Sequence, residues 1–170
     1  MRIFNSILQQ DKFLPHAMLC VSNTAGNIIQ ILADLPDFLR KPMLQNRLKE
    51  FYSMSDGDKR ETISMALSAA PSIDPGKLSM LFRTWLEILS EFDAGKRVTM
   101  FQTYCKQILA SPYPLQELDF RSLTATFLSL DQKQRERITD SLYEVLFLLP
   151  DRNEILKLIP EDSLKAVGLM

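Results

Sequence analysis

Cysteine is nearly absent from this chain: Cys20 and Cys105 are the only two, and they lie far apart. A disulfide-stapled secreted scaffold carries more, so both are expected to be reduced, buried, small apolar residues. Histidine is scarcer still, with His16 alone beside Pro15. One histidine and two distant cysteines are too few for a His/Cys zinc site, and His16 is expected to be a packed or hydrogen-bonded residue. No calcium-loop spacing of carboxylates, nucleophile elbow or kinase signature is present. Among only five glycines, Gly57 and Gly95 stand alone and form no phosphate loop. Charge of one sign is not in excess, with 20 basic and 21 acidic residues and a net charge of -1. Nucleic-acid binding, which draws on a basic surplus, is therefore not expected.

A long uninterrupted apolar run is missing too. The stretch 13–35 is broken by Ser22, Asn23, Thr24, Asn27 and Gln30, whereas a membrane span needs about 20 mostly apolar residues. It reads as a buried helix or helix pair. The first residues do not follow a signal peptide's order of basic, apolar and small residues, which leads to the expectation of a cytoplasmic protein. Strand signals are also thin, because valine and isoleucine are scattered and form no alternating run.

What remains is helical periodicity in one domain of 170 residues. Sliding the chain against itself by 38 residues aligns Leu44, Phe82 and Phe120, then Phe51, Leu89 and Phe127, then Met54, Phe92 and Leu130. Spacings of seven and three mark one helix face. Ser55, Asp93 and Asp131 coincide next, and all are good N-cap types. Lys59, Arg97 and Arg135 coincide after them, followed by apolar sets ending at Ala70, Ile108 and Leu146. Pro71–Gly76 and Ser111–Pro114 separate the units, with Asp74 an expected cap and Pro75 at the first helical position.

These patterns predict an all-α domain of stacked antiparallel helical hairpins, an α-α superhelix with atypical terminal helices. Residues 1–41 are expected to form N-terminal capping helices, 42–150 three hairpins of about 38 residues, and 151–170 C-terminal capping helices. Asp151–Glu154 is expected to open the last region as a capping box, and Gly168 to end it. In layout this is similar to the HEAT and tetratricopeptide class of hairpin arrays, although the Trp-Leu-Gly-Tyr pattern of tetratricopeptides is missing. The similarity extends over residues 44 to about 150 and transfers no functional residue.

Two constellations stand out as candidate sites. Lys59, Arg60, Lys96, Arg97, Lys133, Arg135 and Arg137 sit at the start of each second helix. They form either a solvated face or an edge that binds an anionic partner beside helix N-termini. Tyr52 and Trp85 fall off the strict apolar stripe and are the expected exposed apolar contacts. The other aromatics of units two and three, with eight methionines, fill the core or line a pocket. The run Leu142–Pro150 is apolar nearly all round, so the helix is expected to be either central or covered by another chain, for which a homodimer is one form. Asp56, Asp58, Glu91 and Asp93 flank helix starts and are read as dipole partners, leaving a hydrolase the remote alternative. The expectation is a non-enzymatic protein-protein interaction module without cofactors. Its alternative is a binder of a small apolar or anionic ligand between helices.

Overall fold

The structure is a computed structural model and describes residues 28–170. His16, Cys20 and most of the predicted N-terminal capping region lie outside the described residues. Among the described residues every regular element is helical. Residues 28–34 form α1. Then come α2 (Asp37–Ser53), α3 (Asp56–Ala69), a 3-10 turn (Ala70–Ser72), α4 (Pro75–Glu91), α5 (Ala94–Ala110) and α6 (Tyr113–Gln116). The chain continues with α7 (Phe120–Leu128), α8 (Gln132–Leu148), α9 (Arg152–Lys157) and α10 (Glu161–Val167).

Both bounds of α4 lie 38 residues after those of α2, and both bounds of α8 lie 38 after those of α5. The cause is local. Ser55, Asp93 and Asp131 each accept a bond from the backbone N–H three residues on, with φ between -64° and -66° and ψ between 158° and 161°. Each cap satisfies a donor that a helix start leaves open. Asp131 does so within a full capping box, Gln134 returning the bond. Asp74 caps α4 through the Lys77 N–H, with Pro75 first in the helix.

Helices pack in two rows. In one, α2 lies against α4, α4 against α7 and α7 against α10; in the other, α3 lies against α5 and α5 against α8. The rows meet where α4 contacts α8. Ile88 and Leu89 on α4 and Val145 on α8 have no exposed surface and form the driest part of the core. Phe51, Leu89 and Phe127 are all buried.

Three local expectations need correction. The first hairpin begins at Asp37, not at 42, and Pro42 lies inside α2. Proline there removes the bond to the Phe38 carbonyl, and Phe38 is itself exposed, so water can take that acceptor. Asp151 precedes α9 without a side-chain cap bond, because its backbone (φ -94°, ψ 25°) is not the extended one a cap requires; Glu154 pairs with Lys157 instead. The third unit's first helix is divided into α6 and α7. At the position equivalent to buried Leu81 it carries Asp119, which follows the end of α6 and caps α7 by accepting from the N–H groups of Arg121 and Ser122. At the far end Gly168 closes α10 with φ 82°, as expected of a C′ glycine.

Candidate functional site

The basic residues divide into those that bind the chain's own backbone and those that face solvent. Arg97 is buried; its Nε donates to Ser141 Oγ at 2.9 Å and its Nη1 to the Phe92 carbonyl. Arg135 donates to the Leu128 carbonyl at 2.8 Å, and Arg137 to the Ser90 carbonyl at 3.0 Å. Those carbonyls end α4 and α7, and neither helix has a basic residue in its own last turn. Arginines from α5 and α8 therefore complement the negative C-terminal ends of those helices. Arg40 does the same before α2, donating to the carbonyls of Leu32 and Leu35 and pairing with Asp37.

Lys96 pairs with Asp93 at 2.9 Å, and Lys59 approaches Asp56 at 3.7 Å. Arg60 and Lys133 are exposed. An anion would thus compete for Arg97, Arg135 and Arg137 with helix ends they already serve.

The expected exposed contacts, Tyr52 and Trp85, are both half-buried and packed against the core. The amphipathic rings explain the correction, since each can bury its body and keep a polar atom near a partner or an opening. Tyr52 packs edge-on against Phe92 at 5.7 Å and donates its hydroxyl to the Lys96 carbonyl at 3.0 Å, tying α2 to the start of α5. Burial, with the nearby Asp93 charge second, pushes its phenol well above the ordinary value.

Trp85 leads to the site that sequence reasoning did not localise. An apolar cavity of about 380 Å3 lies between the two rows. On α4 its wall is Leu78, Leu81, Phe82 and Trp85; on α5 it is Phe101, Tyr104, Cys105 and Ile108. Both sets follow a helical stripe. Trp85 stacks on Phe82 at 5.8 Å and meets Tyr104 edge-on at 5.3 Å. Residues from α6 to α10 line it as well, including Leu115, Thr124 and Leu164.

Among the described residues the polar atoms of this wall are few, and none belongs to a charged side chain. Thr124 Oγ1 donates to Ser163 Oγ at 2.9 Å, so that pair satisfies itself. Burial pushes the Tyr104 phenol up to about 12 and the Cys105 thiol up to about 11. Cys105 is a free thiol and stays protonated near neutrality, which is the opposite of a nucleophile's tuning. The signal for the cavity was present as the aromatic concentration in units two and three. The missing knowledge was which facing stripes stay apart.

A second apolar feature lies outside. Val145 and Leu149 bury one side of the apolar run in α8, while Tyr143, Phe147 and Leu148 are exposed, Phe147 by 81%. Among the described residues no helix is long and apolar enough to cross a membrane, and no cluster of three or more metal-ligating side chains occurs. The chain matches no family model, no curated protein and no solved structure.

Proposed function

We propose that this protein is a non-enzymatic binding module, a superhelical stack of helical hairpins in a HEAT-like layout that holds an uncharged apolar small molecule between its two rows. One observation carries the reading: a cavity of about 380 Å3 whose wall is almost entirely carbon. Sites for small ligands commonly span about 300–1,000 Å3, with mostly apolar walls and a few polar groups. Burying apolar ligand surface there yields about 25 cal/mol per Å2. The anionic ligand kept open at the sequence level finds no cation among the described residues of this wall. A reducing, cytoplasmic setting suits the free Cys105 thiol.

Trp85 is the only tryptophan and lines the cavity, so its emission reports occupancy directly. Native mass spectrometry of freshly purified protein, combined with titration of an uncharged apolar dye, tests the reading. We expect a retained mass or a saturable change in Trp85 emission. Ala66→Phe, which fills part of the wall on α3, should abolish the change while the circular dichroism stays helical. Equal dye response in both proteins would overturn the proposal.

A second reading, the protein-interaction module, draws on the exposed Tyr143, Phe147 and Leu148. A partner or a second copy of the chain would cover them. Sedimentation equilibrium of the protein and of Phe147→Asp tests the homodimer form. A concentration-dependent mass in the first, lost in the second, supports it; a monomer in both removes that form.

A further inference from the structure

The walls of the cavity also restrict what chemistry can enter it; this step rests on the ligand-binding reading above. Among the described residues, five lining side chains carry a polar atom: Trp85, Tyr104, Cys105, Thr124 and Ser163. Thr124 and Ser163 bond to each other. The Trp85 indole N–H and the Tyr104 hydroxyl have no hydrogen-bond partner among the described residues. Nor are they sealed in, since no fully buried side-chain nitrogen or oxygen there lacks a partner. Both side chains line the same, otherwise carbon wall, with their rings edge-on at 5.3 Å.

An indole N–H can only donate. A phenol that keeps its proton throughout the neutral range also offers its O–H. The nearest buried cation on α5, Arg97, is outside the wall and committed to Ser141 and Phe92. A carboxylate entering the cavity would lose its hydration and gain no counter-charge. A carbonyl oxygen, in contrast, accepts from one or both donors without bringing a charge.

We infer that the cavity selects hydrocarbon-rich, uncharged molecules bearing one hydrogen-bond-accepting oxygen, such as a ketone or ester, with that oxygen held by Tyr104 and Trp85, and rejects the corresponding carboxylates. The wall then reads as an apolar sleeve with a single polar contact point.

The test titrates octane, 2-octanone and octanoate into the full chain at pH 8, following Trp85 emission and native mass. Octane and 2-octanone should both bind, and 2-octanone should bind the protein about tenfold more tightly than it binds Tyr104→Phe, the ratio that one neutral hydrogen bond supplies. Octanoate should bind more weakly than either. Tyr104→Phe should weaken 2-octanone by a larger factor than it changes octane. The octane control shows that the variant's cavity is intact. Trp85→Phe, followed by native mass alone, should lower 2-octanone affinity in the same direction. Octanoate binding as tightly as 2-octanone would overturn the inference and leave the apolar cavity reading standing, as would a ketone unaffected by Tyr104→Phe. Failure of all three probes to bind would overturn the cavity reading itself.

Discussion

Helix α4 and the pair α6–α7 occupy the same register of the chain, yet one is a continuous helix of 17 residues and the other is broken after four. The difference centres on one position. Leu81 lies in the middle of α4 and is buried. Thirty-eight residues on, Asp119 cannot enter the core as a charge without a partner. Its short side chain bonds nearby backbone N–H groups instead, which favours a cap over a helix interior. Both solutions keep the next core residues in place, since Leu89 and Phe127 are buried alike. An array of similar units tolerates a broken helix where the residue that breaks it also caps the restart.

Exchanging the two residues' chemistry gives the largest expected effect. Leu81→Asp should destabilise the chain by about 3–5 kcal/mol, the cost of an uncompensated buried charge, and should lower the helical signal in circular dichroism as α4 breaks. A loss under about 1 kcal/mol in urea unfolding would show that α4 can restart as α7 does.

The turns that follow these two segments differ as well. Arg97 is buried and serves both Phe92 and Ser141, whereas Arg135 is half-buried and donates to Leu128. Arg97→Met should therefore cost about 1–3 kcal/mol by leaving buried acceptors unpaired, and Arg135→Met about 0.5–1 kcal/mol. Equal losses in denaturant midpoints would refute the distinction. The caps come next: Asp119→Ala and Asp93→Ala should each lower the same midpoints, by less than Arg97→Met does.

The smallest effect near neutrality belongs to Tyr104→Phe and emerges only in alkali. Burial pushes the phenol from its ordinary value of 10.0 up to about 12. Between those values the folded chain holds a proton that the unfolded chain has lost. Stability is thus intact below about pH 10 and falls as pH rises towards 12, by about 1.4 kcal/mol per pH unit for this group. Tyr104→Phe should flatten that part of the profile, and matching slopes in the two proteins from pH 10 to 11 would refute the assignment.

Much of the helix layout was legible because its signals are local. Ser55, Asp93 and Asp131 cap where their side chains can reach the next turn, and Asp74-Pro75 and Gly168 mark ends by backbone chemistry alone. Pro42 and Asp151 were misleading for the same reason in reverse. A residue type states what it permits, and the surrounding chain decides whether it is used. The shared register of Lys59, Arg97 and Arg135 was visible, but the partners of the two arginines were not. Those partners are carbonyls at the ends of other helices, and a carbonyl carries no sequence signature.

By itself, then, the sequence determined the all-helical class, the bounds of α3, α4, α5 and α8 to within a turn, and the residues that cap them. These depend on contacts a few residues long. Only the tertiary structure decided that Arg97 and Arg137 are spent on α4, that Trp85 faces inward, and that the stripes of α4 and α5 leave about 380 Å3 between the rows. An apolar stripe fixes which face avoids water, whereas the distance to the opposing stripe is set by how every helix in both rows packs against its neighbours.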